Sequence, residues 1–377
     1  MKLPHKIITL SMLVGCCILF KACKKDSPAP PEIQITNSTV SLEEGETGGI
    51  TIRLTNSNFS GIQFIKLKRL AASIATYNTD YTTSIAEVDE IITLNIQEGE
   101  LNVEFEISTL EDYRTEGDET LTYEIIEVSP GLTLSETLEL SFLIEDNPIF
   151  NNLEGYYPFD GDFDDLGPNS NNGFLRSSSN PASIEDRFGN QNSAYFFDGI
   201  DDYVEIPNIT AINFENNNDF SFSLWIKVPS QQSDYDNNNN GILSKWGGSP
   251  TTGYPYILSL FNDTYQDQPN SISFWRYNSA NCDDAMKVTP EVEVNDNQFH
   301  HVVVTKSGST LSLFLDSELI DQAEDTTDNT QCNTANSDPL LVGTRERKIF
   351  FKGVIDEFYI FSRALTNSDI DFLNTRE

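Results

Sequence analysis

Short runs in which apolar and polar residues alternate, broken every few positions by Asn, Asp, Gly, Ser or Pro, limit what this chain can fold into. Gly49-Ile50-Thr51-Ile52-Arg53-Leu54, Leu101 to Ile107, Phe220 to Ile226 and Leu311 to Leu315 are examples. A period of two sends successive side chains to opposite faces of a strand. No stretch sustains a helical period. The expected class is all-β, with each strand burying one face and wetting the other, as in a sandwich of two antiparallel sheets.

The 377 residues suffice for two or three domains. Composition changes near Asn147-Pro148: Glu and Thr dominate before it, whereas Asn, Gly and aromatic residues rise after it. Almost no linker separates the two parts, which implies end-to-end packing with limited freedom.

The N-terminus reads as a lipoprotein signal over residues 1–22. Lys2 and Lys6 precede an uncharged stretch, Ile7 to Phe20, too short for a bilayer span of about 20 residues. The segment resembles bacterial type II lipoprotein signals, and Cys23-Lys24-Lys25-Asp26 is similar to the start of mature surface lipoproteins of the Bacteroidota type. Cys23 is the favoured lipidation site because a polar tether, residues 23–32, follows it directly. Leu13-Val14-Gly15-Cys16 fits the lipobox consensus better and keeps Cys16 as the alternative. The prolines of the tether favour polyproline II, about 3.1 Å per residue. The expected location is the outer membrane or cell surface, with the membrane engaged through the lipid only.

Residues 1–22 hold three of the 23 basic residues and none of the 59 acidic ones, which leaves 20 against 59, a net charge of −39. Such a surface repels phosphate backbones, so nucleic acid is excluded as a partner. Dense carboxylates suit hard cations such as calcium, although acidity alone also keeps an exported protein soluble.

Residues 33–147 resemble a Calx-beta module, an immunoglobulin-like sandwich. The resemblance rests on Val40 to Thr47, Asp80-Tyr81-Thr82, Ile96 to Glu100, Glu111-Asp112 with Glu116 to Glu119, and Ile144-Glu145-Asp146-Asn147. It implies a calcium site at one pole, built from Glu44, Asp80, Asp112, Glu116, Glu119 and Asp146. Glu111, Glu145 and Asn147 depart from the pattern.

Residues 150–377 resemble a laminin-G-like, concanavalin A-like jelly roll. The motifs are Gly155 to Asp162, Gly189 to Val204 with Asp198-Gly199-Ile200-Asp201-Asp202, Phe220 to Lys227, Phe299 to Thr305, Leu313 to Asp316, and Phe351 to Phe358 followed by Phe361 to Thr366. The resemblance implies two antiparallel sheets, one concave, and a structural calcium tying the first strand to the last through Asp160, the carbonyl of Gly161, Asp162 and Asp356. A solvated turn would explain the first three equally.

Cys282 and Cys332 stand in Asn-rich loops, and an exported chain permits a disulfide between them. Sugars bind on aromatic platforms, and the candidates are Trp246, Tyr256 beside Tyr254, and Trp275 with Tyr277, together with the basic group Arg345, Arg347 and Lys348. Trp225 reads as core. His300-His301 lacks an accompanying Ser or Cys nucleophile motif, and no Glu-x-Asp-x-x-Glu run offers the paired carboxylates of a retaining glycosidase. The expected function is non-catalytic: a surface protein whose jelly roll binds an extracellular glycan or another ligand, on a calcium-stiffened stalk. Adhesion to a surface or matrix protein is the first alternative and a glycoside hydrolase or polysaccharide lyase the second.

Overall fold

The computed structural model describes residues 29–178, 182–214, 218–230, 240–245, 254–263, 268–277, 285–288, 292–325 and 336–376. It is an all-β chain of two successive sandwiches. In the first, a sheet of order Ile33–Ile35, Thr47–Leu54, Asn102–Thr109, Tyr81–Thr83 packs on one of order Thr39–Glu43, Glu139–Glu145, Glu119–Val128, Gln63–Arg69, Ile91–Ile96. Thr39–Glu43 runs parallel to Glu139–Glu145. The expected alternation is present: Ile50, Ile52 and Leu54 are buried while Thr51 and Arg53 between them are exposed. The core centres on Phe105, edge-on to Tyr123 at 5.1 Å and to Phe142 at 5.8 Å.

A 3-10 turn, Pro148–Phe150, joins the sandwiches, and the Asn147 side chain caps it by accepting from the Ile149 N–H at 3.2 Å. In the second sandwich one sheet runs Ala182–Ile184, Ala194–Asp198, Lys352–Phe361, Phe220–Lys227, Phe299–Ser307, Thr310–Leu315, Glu318–Glu324, with Leu153–Tyr157 also paired to Lys352–Phe361. The other runs Phe174–Arg176, Tyr203–Ile206, Leu340–Val342, Asn240–Ser244, Tyr254–Asp263, Gln268–Tyr277, Ala285–Val288. Phe220, Phe222, Leu224 and Ile226 of the first sheet meet Leu258, Leu260, Ile272 and Phe274 of the second.

Two features depart from the sequence reading. Phe220–Lys227 is buried on both faces rather than one, because Ser221, Ser223 and Trp225 are shielded too. Their side of the sheet is partly roofed by the chain's end: Leu365, Ile370 and Leu373 pack on Val303, Phe314, Tyr359 and Phe361. The Ser221 hydroxyl donates to the Arg363 carbonyl and accepts from the Leu365 N–H, each at 2.9 Å. The roof includes a nine-residue helix, Asn367–Thr375, opened by a reciprocal Thr366–Asp369 capping box. One turn-and-a-half of apolar spacing is too short to register as a helical period.

Candidate functional site

Strand order explains why carboxylates distant in sequence gather at one pole of the first sandwich. Glu44 and Asp146 follow two parallel strands, so they leave the sheet at the same end, and Glu119 opens the antiparallel neighbour there. Asp112 and Glu116 lie in the loop after Asn102–Thr109, and Asp80 precedes its partner Tyr81–Thr83. Tyr81, fully buried, anchors that corner through hydrogen bonds of its hydroxyl with Glu87 and Tyr123.

Asp80, Glu116 and Glu119 bring ligand oxygens within 4.8 Å of one another. Burial, then Asp112 and Asp146, push the Glu44 carboxyl up to about 8. Burial and then Asp80 raise Glu119 to about 7, and burial with Asp112 and Asp80 raises Glu116. Each shift means that ionising the group is costly in the protein alone. A hard cation with several oxygen ligands would remove that cost. Asp112 and Asp146 are oriented by backbone N–H groups, from Arg114 at 3.0 Å and Gly117 at 2.7 Å.

A second acidic cluster lies in the jelly roll. The strand Lys352–Phe361 carries a β-bulge opposite Leu224: Trp225 pairs with Asp356 and Ser223 with Tyr359. Glu357, the extra residue, takes a left-handed φ of 45°. Ile355 and Phe358 point into the core, and the bulge turns the consecutive carboxylates Asp356 and Glu357 to the other side together. They line a cavity of about 220 Å³ with Asp160, Asp186, Asn190, Ser193, Tyr156, Arg376 and, from the first sandwich, Tyr113.

This corrects the expected ligand set. Asp160 and Asp356 share the cavity wall, but Gly161 and Asp162 do not line it, and Asp162 instead accepts from the Asp164 N–H at 3.0 Å in its own turn. Asp186 and Glu357 were missed. No local sequence signal marks Asp186, and a one-residue bulge is invisible to a period-two reading.

The cavity is not a formed cation cage: among the described residues no three of its carboxylates bring oxygens within 4.8 Å of one another, and Arg187 is paired to two of them. Asp356 is 1 % exposed and neither carboxylate oxygen has a hydrogen-bond partner. Arg187 stands 3.5 Å from one of them but pairs more closely with Glu357, at 2.9 Å. Burial, then Glu357, push the Asp356 carboxyl up to about 8 despite Arg187. A buried carboxylate with no donor is among the costliest groups a fold can hold. Arg187, placed against both Asp356 and Glu357, is the charge that offsets them in this cavity.

The Asp198, Asp201, Asp202 group is satisfied by its own turn. Gly199 has φ +81°, Asp198 accepts from the Ile200 N–H at 2.7 Å, and Asp202 accepts from the Ser177 hydroxyl and the Asp198 N–H. His301 is 1 % exposed and shares a 2.7 Å hydrogen bond with the equally shielded Ser223. Burial lowers its pKa to about 3, and its Nδ1 has no hydrogen-bond partner. A nucleophile and base shut from solvent, with no group orienting the base, do not form a working triad. His300 is held by Asp316 at 2.8 Å and Asp296 at 3.1 Å.

The aromatic candidates divide. Tyr256 is fully buried in the core, with its hydroxyl donating to the Ile212 carbonyl at 3.0 Å, so the expectation that it forms a sugar platform is corrected. Trp275 lies on the opposite face of its sheet from core residues Ile272 and Phe274, half-buried, with its indole N–H donating to Ser273 at 2.7 Å. Cross-strand register continues the row from Trp275 through Ile257, Ser244 and Leu341 to Glu205. Glu205 takes Arg347 at 2.9 Å and Arg176 at 3.5 Å, and Arg345 pairs with Glu346 at 3.2 Å. The basic cluster is thereby matched by carboxylates rather than presented as free charge. Cys16, Cys23, Trp246, Cys282 and Cys332 lie outside the described residues, as do the side chains of Tyr254 and Tyr277.

Comparison with curated protein sequences gave no match. Among solved structures, domain 4 of AbnA, a GH43 extracellular arabinanase from Geobacillus stearothermophilus in complex with arabinotriose, aligns at 17 % identity over 59 % of this chain and 98 % of its own, with a TM-score of 0.44. The binding domain of botulinum neurotoxin serotype D aligns at 13 % identity over 59 % of this chain and 50 % of its own, so half of that structure has no counterpart here, with a TM-score of 0.44. The apo-form Calx CBD1 domain aligns at 16 % identity over 32 % of this chain and 99 % of its own, with a TM-score of 0.26. Residues 198–371 match the family model of the concanavalin A-like lectin/glucanases superfamily.

Proposed function

We propose that the chain is a lipid-anchored surface protein, non-catalytic, whose jelly roll binds an extracellular glycan and whose first sandwich is a calcium-stiffened stalk. Cys23 carries the lipid, with Cys16 as the alternative, and the Pro-rich tether lifts the sandwiches from the outer membrane. The observation that carries the reading is Trp275, half-buried on the face of the second jelly-roll sheet turned from the core, its N–H fixed by the Ser273 hydroxyl. An aromatic ring held rigidly beside hydrogen-bonding groups is what a sugar's apolar face and hydroxyls require. The match of residues 198–371 to a family described by lectins and glucanases supports the same ligand class. The stalk reading is supported by the pole around Glu44, Asp80, Asp112, Glu116, Glu119 and Asp146, which needs a cation to ionise without penalty.

The test is a glycan array probed with the purified protein in calcium. Binding to a defined glycan class, with no release of reducing ends, supports the reading. Retention on matrix proteins with no glycan bound would replace it with protein adhesion, and cleavage of a polysaccharide would replace it with an enzyme.

A further inference from the structure

The cavity around Asp356 lies at the junction of the two sandwiches, because Tyr113 of the first forms part of its wall. Most of its charged groups are matched. Glu357 takes Arg187 at 2.9 Å, and Glu111 of the first sandwich grips the Arg376 guanidinium with both oxygens. Asp186 accepts from the Phe188 N–H, the Asn190 N–H and the Asn190 carboxamide, each at 2.8 Å. Asp356 differs. It is 1 % exposed and Arg187 offsets its charge at 3.5 Å, yet neither of its oxygens accepts a hydrogen bond. Phe188 lines the same cavity while 46 % exposed, so its ring stands at the opening, with the Arg187 guanidinium 4.3 Å from its centre.

We propose that this cavity is a second sugar site, separate from the Trp275 face on the other jelly-roll sheet, and that it takes a single neutral pyranose residue through two adjacent hydroxyls. The wall selects that class. Arg187 and Arg376 oppose a cation, while Asp356 and the exposed Asp160 oppose an anion. A sugar hydroxyl brings no charge, and because it both donates and accepts, it partners Asp356 whether the carboxyl is ionised or protonated. Two adjacent hydroxyls span the two oxygens of one carboxylate. They supply the hydrogen bonds that this buried group lacks and remove the cost of leaving it without them. Phe188 and Tyr113 offer aromatic surface to the apolar face of the ring. Size restricts the ligand, since a cavity of about 220 Å³ is smaller than the roughly 300–1,000 Å³ of sites for larger molecules. Because Tyr113 belongs to the wall, the site is complete only where both sandwiches are present.

The experiment uses the purified protein with Trp275→Ala, so that the other sheet contributes nothing whether or not it binds glycan. The probes are the methyl glycosides of glucose, galactose, mannose and xylose, with saturation-transfer NMR to detect contact and calorimetry to measure affinity. At least one binds. Adding Asp356→Leu, similar in shape but without oxygens, weakens that binding about tenfold or more, and adding Phe188→Ala weakens it about tenfold. The same glycoside with two adjacent hydroxyls methylated does not compete. A melting scan at or above that of the Trp275→Ala background separates lost binding from lost fold, and Phe188→Ala, an exposed position, carries the test if Asp356→Leu does not fold. Binding of none of these glycosides overturns the proposal. Binding unchanged by both substitutions overturns it too, by placing the sugar elsewhere, and tighter binding of methyl glucosaminide or methyl glucuronide would give the cavity to a charged ligand instead.

Discussion

Replacing Asp356 by Asn tests whether a buried carboxylate offset by Arg187 alone is a net cost to the fold. The carboxyl is raised from its ordinary 3.8 to about 8 by burial and by Glu357. A raised carboxyl contributes stability fully below the unfolded value, and that stability is lost as pH rises toward the folded value. At pH 8 the linkage amounts to a ceiling of about 5 kcal/mol, at roughly 1.4 kcal/mol per pH unit. Relaxation and entry of water leave a fraction of that, about 1–3 kcal/mol. Asn keeps the shape and removes the charge, while Arg187 keeps Glu357 as its partner. In a chelator at pH 8 the variant therefore melts higher than the parent, by about 2–4 °C for each kcal/mol in a domain of this size. The advantage shrinks toward pH 4, where the parent's carboxyl is protonated in the folded protein and no buried charge is held. Calcium, taken up at the acidic pole of the first sandwich, raises parent and variant alike, so the order is the same in both buffers. Differential scanning calorimetry in the two buffers decides it. A variant that melts lower than the parent in chelator at pH 8 would show that Arg187 fully satisfies Asp356, and the reasoning would be refuted.

Other outcomes follow from the same reasoning. In chelator, stability falls as pH rises from about 4.5 toward 8, because Glu44, Glu116 and Glu119 all carry raised carboxyls, and calcium flattens that slope; an equal slope in both buffers contradicts a cation at the pole. His300 is raised by Asp316 first, so its contribution is complete below the unfolded value near 6.5 and disappears as pH rises through the folded value; NMR titration shows the His300 pKa falling in Asp316→Asn. Tyr256→Ala costs about 3–5 kcal/mol as a buried aromatic truncation, whereas Tyr256→Phe loses only a hydrogen bond worth about 1 kcal/mol and leaves glycan binding intact. Intact-mass measurement before and after reduction and alkylation shows Cys282 and Cys332 joined, and alkylation of both without reduction contradicts the bond.

The class of fold was legible in sequence because alternation is a local property: Ile50, Ile52 and Leu54 announce their burial wherever their partner strands lie. The acidic pole was legible only through resemblance, since strand order alone brings Glu44, Asp80 and Asp146 to one end. Three things were out of reach. Ser221 reads as a wet position because nothing local says that the chain's end folds back to meet its hydroxyl. The pairing of Asp356 with Glu357 depends on a bulge, a single added residue that reverses the face of its neighbour. Tyr256 and Trp275 are both aromatic residues in alternating strands, and only register relative to the core separates a buried ring from one on the outer face.

The account stands or falls most directly on the ring of Trp275. Titrating the strongest array glycan into the parent, Trp275→Ala and Tyr256→Phe, all in saturating calcium, compares a residue on the proposed face with one in the core. The account predicts parent affinity for Tyr256→Phe and a loss of about tenfold or more for Trp275→Ala, the value of roughly 1.4 kcal/mol expected of one aromatic contact. Equal affinity in Trp275→Ala and the parent would contradict it and place the ligand elsewhere on the molecule.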